Sequence, residues 1–298
     1  MSQAMHIEAS TLLATRKGKP AWQQMLRVLS RNKLVLAGIA IAALMLFAAI
    51  FAGFIAPYDP IAQMVSDSLH SPSSQYWFGT DRFGRDVLSR TIYGSRISMW
   101  VGFASVSLAV SVGTLLGLVS GYCGGWVDNV ISRIMDIFFS FPAMLLAIAI
   151  AAMLGPGMNN ALLAIAIVYS PLFSRVVRGS VLAERNKEYI EAARGIGASN
   201  RRVVGLHLLP NVLPPIIVQG SVTLSHAILM ESYVSFLGLG IQPPQASWGS
   251  MLNEGRAFLE AAPWISIFPG VAVMLAVLAF NLLGDGLRDV LDPRLRSV

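Results

Sequence analysis

The 298 residues are 55% hydrophobic and only 13% charged, where soluble domains carry roughly a quarter charged, which excludes an ordinary water-soluble fold. The formal charge of +6 is spread between apolar runs rather than along one stripe, so it points to membrane orientation and not to nucleic acid. One cysteine, Cys123, excludes an internal disulfide framework and any Cys-rich metal site.

A membrane helix needs about 20 predominantly apolar residues, because its backbone amides find no water in the bilayer. Six runs qualify. After a polar N-terminal segment (1–33), the first run, Leu34 to Ala56, carries no charge and follows Arg27, Arg31 and Lys33. It is longer than the apolar region of a signal peptide, and Pro57 follows without a small-x-small cleavage site. A polar stretch (57–96) leads to the second run, about Ile97 to Tyr122, rich in Gly, Ser and Val. The third is about Ile137 to Leu154, ended by Gly155-Pro156-Gly157. The fourth, about Asn160 to Val177, carries Pro171 and Arg175. The fifth starts after Pro210, continues to about Leu237 and contains Pro214, Pro215, His226 and Glu231. The sixth, Trp264 to Leu283, opens on an aromatic residue suited to the headgroup level. Residues 97–286 form one membrane core and 287–298 a tail.

Lys and Arg resist translocation, so their distribution sets orientation. With the N-terminus inside, 17 of the 22 fall in cytoplasmic segments, and the outer segments hold Arg82, Arg85, Arg90, Arg96 and Arg256. Both termini are then predicted to be cytoplasmic, with the longest outer loop in the periplasm.

The inner loop between the fourth and fifth runs, Lys187 to Pro210, is the most informative stretch. Its first half suits a short amphipathic helix with Tyr189, Ile190 and Ala193 toward one side. Gly197 can end that helix and Ser199 can cap the next. Ala192 and Ala193 leave little bulk, so a partner surface can approach the backbone, and Glu191 and Arg194 supply charged edges that orient such a contact. Glu191-Ala192-Ala193, then Gly197, then His207, Leu208, Leu209 and Pro210 resembles the EAA loop of ABC importer permeases, with His207 in place of the usual Ile. The resemblance implies an all-α membrane protein of six transmembrane helices with the type I ABC importer permease fold. It also implies that Glu191, Ala192, Ala193, Arg194, Gly197, Leu209 and Pro210 belong to a cytoplasmic coupling helix seated in a cleft of an ATPase subunit.

Two further stretches narrow the resemblance. Gly79-Thr80-Asp81, then Gly84-Arg85-Asp86, looks like the outer-loop signature of dipeptide, oligopeptide and nickel-type permeases. Read physically, Thr80 or Asp81 caps a helix that presents Val87, Leu88, Ile92 and Trp100 to lipid or protein while Arg82, Arg85 and Arg90 stay wet. The ending from Phe280 to Arg294 looks like that family's C-terminus. Gly284 and Gly286 are expected to loosen the exit from the last span, and Arg288, Asp289 and Arg294 to form a surface ion-pair cluster.

Within the spans, Glu231 is too costly to face lipid. It either lines a translocation path or is a hydrogen-bonded carboxyl near the outer end of the fifth span. His226, five residues earlier, sits on a different face, so no metal or ion pair joins the two, and it reads as a polar packing residue or a path residue. Pro214 and Pro215 either kink the fifth span or begin it, the second being the simpler reading.

The resemblance implies a permease subunit of an ATP-driven importer. Its partners would be a second homologous permease, two ATP-binding subunits, a periplasmic binding protein and membrane lipid, with no nucleic acid. The chain has no Gly-x-x-x-x-Gly-Lys-Ser/Thr loop, so it is expected to hold no cofactor and to leave ATP and magnesium to the partner ATPases. Di- or oligopeptides are the expected cargo; glutathione, nickel chelates and opine-like compounds are the alternatives on the same machinery. An ion-coupled secondary transporter would need intramembrane ionisable groups, and only Glu231 and His226 qualify. A membrane hydrolase would need a nucleophile or metal constellation that the sequence lacks.

Overall fold

The computed structural model describes residues 32–291. Most of the N-terminal segment, including Arg27 and Arg31, and the tail beyond 291, including Arg294, lie outside the described residues. The regular structure of the described residues is helical: α1 (Lys33–Ile50), the short α2 (Ala52–Ile55), α3 (Val87–Cys123), α4 (Gly125–Phe139), α5 (Ala143–Leu154), α6 (Met158–Glu184), α7 (Glu188–Gly195), α8 (Asn200–Arg202), α9 (Leu209–Phe236), α10 (Trp248–Gly255) and α11 (Trp264–Leu291).

Five helices are long and apolar enough to cross a membrane, and six when the bent pair α4–α5 counts as one span. The third run expected from sequence is therefore not one straight helix. Ser140-Phe141-Pro142 breaks it, Pro142 leads into α5, and the two pieces meet at 93°. The pair still crosses the bundle. It leaves the end of α3 through Gly124, and on its far side Gly157 N donates to Leu239 O at 3.1 Å, just past the end of α9.

Small residues let the helices close on one another. On α3, Gly113, Gly117 and Gly121 form an i, i+4, i+8 row against α6, where an added Cβ would come within 2.5, 2.7 and 2.8 Å of the Cβ atoms of Phe173, Val177 and Val181. Gly286 of α11 faces Val35 of α1 in the same way, and Gly284 faces Val222 of α9. These two glycines do not loosen the exit from the last span: α11 continues to Leu291, and they are where neighbouring helices touch. Arg288 and Asp289 are exposed, and no ion pair joins them among the described residues.

The packing also fixes which ends lie together. Arg96, early in α3, donates to Ala49 O and Ile50 O at 2.9 and 3.0 Å, so α1 and α3 run antiparallel. Lys33, Cys123, Glu184, the α7–α8 segment and Leu291 consequently share one end of the bundle. The loop 57–86, α10 and the start of α11 share the other.

Candidate functional site

At the first end, α7 and α8 form an elbow beneath the bundle. Glu188 and Glu191 in the first turn of α7 and Arg194 in its last complement the helix dipole. Ile190, fully buried, packs with Val177, Val181, Val203, Leu208 and Val212, and Ala193 is buried beside it. Gly197 takes φ +82°, a conformation glycine adopts without strain, and Ser199 Oγ then accepts from Arg202 N at 3.4 Å. The expected helix, stop and cap are thus all present. A π-helical turn, Val203–Leu208, joins α8 to α9, with Leu209 and Pro210 opening α9. Pro214 and Pro215 lie inside α9 and do not begin it.

Glu188, Glu191, Ala192, Arg194, Ile196 and Gly197 are exposed on the elbow. Ile196 is 87% exposed. Two tyrosines tie the elbow to the spans. Tyr122, at the end of α3, donates to Asn200 Oδ1 at 2.7 Å, and the Arg194 guanidinium lies 5.4 Å from its ring centre. Tyr189 donates to Glu184 Oε2 at 2.7 Å and accepts from Asn211 Nδ2 at 3.3 Å. Partial burial, with the Glu184 bond, pushes the Tyr189 hydroxyl up to about 12. Beside the elbow, Arg178 of α6 grips Asp128 of α4 through two bonds of 2.5 and 2.6 Å, the bidentate geometry in which charge-assisted bonds are strongest.

At the opposite end, the signature loop is buried rather than wet. Arg85 and Arg90 are 2% and 1% exposed, and only Arg82 of the three arginines stays in solvent. Asp81 accepts from Phe83 N, Arg85 N and Arg85 Nε at 2.8, 3.0 and 2.6 Å. Arg85 and Arg90 both reach Glu254 of α10, at 2.5 and 3.2 Å. The cap of α3 is Asp86, whose Oδ2 accepts from Ser89 N and Ser89 Oγ at 2.8 and 2.6 Å, and not Thr80 or Asp81. Thr80 O accepts from Trp264 Nε1 at 3.1 Å, tying the loop to α11. Gly79 and Gly84 both take positive φ, +73° and +72°, and a Cβ on Gly84 would collide with the Met64 carbonyl. Sequence reasoning missed Glu254, one of two acidic residues, with Glu260, in the connection between the last two spans; nothing local in the sequence distinguishes the one that turns inward.

Glu231 and His226 part company. Glu231 is fully buried; Ser235 Oγ donates to its Oε1 at 2.8 Å, and its Oε2 has no partner among the described residues. It stands inside the junction of α9 with α3 and α10, where Trp248 N donates to Ser98 Oγ at 3.2 Å. His226 is exposed and is not a packing residue of this chain. A crevice of about 600 Å³ opens between α1, α3, α9 and α11. Its hydroxyls at Ser111 and Ser221 are spent on carbonyls of their own helices, at 2.8 Å each.

Residues 113–297 match the family described as binding-protein-dependent transport system inner membrane component, and residues 21–72 match the N-terminal TM domain of oligopeptide transport permease C. The chain is 48% identical to a dipeptide transport system permease protein of Alkalihalophilus pseudofirmus, over 93% of this chain and 91% of that one. It is 43% identical to a di/tripeptide transport system permease protein of Pseudomonas aeruginosa (94% and 93% covered) and 43% identical to a glutathione transport system permease protein of Escherichia coli (98% and 96% covered). An inward-facing structure of the MetNI methionine ABC transporter superposes with a TM-score of 0.56 at 20% identity, over 68% of this chain and 97% of that chain, which shows the fold. With an all-helical bundle, a broken third span and an elbow between the fourth and fifth, the chain belongs to the binding-protein-dependent transport system inner membrane components: it is a multi-pass permease subunit of the type I ABC importer fold and not an enzyme.

Proposed function

We propose that this permease carries di- or oligopeptides across the bacterial inner membrane, paired with a second homologous permease, two ATP-binding subunits and a periplasmic binding protein. The observation that carries the reading is the elbow. Its inner face is locked to α3, α6 and α9, while Glu191, Ala192 and Ile196 stand bare. A small exposed face formed by Glu191, Ala192 and Ile196, with Arg194 at its edge over Tyr122, rigidly tied to three spans, suits a handle that turns a partner's movement into helix tilt. ATP and magnesium stay with the partners, and Lys33 and Leu291, near the two ends of the described residues, lie on the elbow's side, which the distribution of Lys and Arg makes cytoplasmic. The peptide relatives support the cargo.

Replacing Gly197 with Trp, or Glu191 with Lys, should detach or uncouple the ATPases while membrane insertion continues; normal ATP-dependent uptake by both variants would refute the assignment. Uptake that persists without ATP and collapses with the proton or sodium gradient would favour an ion-coupled carrier instead. A second reading, glutathione on the same machinery, draws on the glutathione-transport relatives. Competition between labelled dipeptide and glutathione for uptake separates the two.

A further inference from the structure

The least explained feature of α9 is a polar row at membrane depth. Gln219, His226 and Tyr233 are seven residues apart, so they share one face and are separated by about 10.5 Å each along the helix. His226 lies about 5 Å from the midpoint of α9. It is exposed, Tyr233 is 40% exposed, and neither side chain hydrogen-bonds another described residue; the Gln219 side chain reaches only Thr223 of its own helix, at 3.2 Å. Lipid is a poor cover for such a row, because intramembrane imidazole, amide and phenol groups turn to protein or to water-filled space. On the neighbouring helix α11, Asn281 is half-buried and its Oδ1 accepts from Ser225 Oγ at 2.7 Å, which extends the polar character beside His226.

We propose that this face of α9 is the wall along which a short peptide crosses, with Gln219, His226 and Tyr233 as successive hydrogen-bonding stations for its main chain. The proposal rests on the peptide-importer reading above. All three groups can both donate and accept, as a peptide amide does, so the wall reads the backbone and tolerates varied side chains. Glu231 points its carboxyl inward to Ser235 and leaves this row without a fixed charge. A permeant must be held weakly enough to leave, and neutral hydrogen bonds meet that need. The spacing suits the cargo's length as well: at about 3.3–3.6 Å per extended residue, three residues span one interval, so a tripeptide can touch the next station before releasing the last.

The test uses the complete importer in proteoliposomes, with Cys123→Ser as the parent and single cysteines at 219, 226 and 233. A charged, membrane-impermeant thiol reagent should modify all three in at least one nucleotide state, and trialanine should slow modification at 226. Leu278→Cys, on an exposed apolar face of α11, should react only with a lipid-soluble maleimide. His226→Gln should keep uptake, while His226→Leu should lower maximal uptake of trialanine roughly tenfold, about one hydrogen bond's worth, with the ATPases still bound. Reaction at 226 with the lipid-soluble reagent alone would overturn the proposal. So would crosslinking of 226 to the second permease without aqueous modification in any state, or aqueous modification without protection by peptide. If the parent shows no ATP-dependent uptake of peptide, the importer reading fails by itself, and the labelling still decides whether the face is aqueous.

Discussion

The Arg90 guanidinium and the Glu254 carboxylate stand 3.2 Å apart across 164 residues of chain, and they bind the start of α3 to α10. Arg85 reaches the same carboxylate and Asp81 closes the group, so two cations and two anions neutralise one another out of water. Removing one member of a buried pair leaves the opposite charge stranded, at a cost of about 3–5 kcal/mol. Glu254→Ala should therefore lower the thermal midpoint of the detergent-solubilised chain sharply. Glu260→Ala, at an exposed site nearby, is the control. Equal midpoints for the two would show that the latch contributes nothing.

The same loop depends on Gly84. Its φ of +72° and the nearby Met64 carbonyl forbid a side chain twice over, so Gly84→Ala should destabilise the outer loop by more than about 1 kcal/mol. Gly195→Ala is the matched control, since an added Cβ there meets nothing within 4 Å. Limited proteolysis from the outer side should cut the 57–86 loop faster in Gly84→Ala alone. Unchanged cleavage would remove the loop's claim to rigidity.

The spans were legible because the bilayer imposes length and hydrophobicity on any helix that crosses it; Trp264 marks the start of α11, and α9 begins at Leu209, just ahead of the start expected after Pro210. The elbow was legible from Gly197 and Ser199, whose roles are local. What escaped depends on contacts between distant residues. Arg85 and Arg90 read as wet because a single sequence does not reveal that Glu254 will meet them. Gly284 and Gly286 read as loosening because a glycine that admits a neighbour looks the same, in sequence, as one that ends a helix. The break at Ser140 was hidden by uniform apolarity on both sides of Pro142, and the exposure of His226 by an apolar stretch that gives its face no contrast.

Tyr76 offers a titration. It donates to Asp67 Oδ2 at 2.7 Å, and that bond, with burial, pushes its hydroxyl up to about 12. The fold therefore favours the protonated phenol. Its contribution is whole below the ordinary tyrosine value near 10 and is lost as pH rises from there through about 12. Tyr76→Phe should flatten the alkaline fall in stability across that window while lowering stability at neutral pH. An alkaline profile identical to the parent's would mean that Asp67 does not hold the phenol.

If the elbow is the handle proposed above, Tyr122 should separate attachment of the ATPases from transmission of their work. The elbow touches α3 through this side chain twice, by the bond to Asn200 and by the Arg194 guanidinium over its ring. Ile196, by contrast, stands clear of the bundle. Tyr122→Phe keeps the ring and loses one hydrogen bond, about 1 kcal/mol, so peptide carried per ATP hydrolysed should fall modestly. Tyr122→Ala loses both contacts and should leave ATP hydrolysis running with little transport while the ATPase subunits still co-purify. Ile196→Asp should do the reverse, abolishing co-purification without disturbing the elbow's packing on Ile190 and Val203. If Tyr122→Ala transports with the parent's stoichiometry, force reaches α3 by another route, through Tyr189 and Glu184 into α6 or directly along the continuous helix into α9.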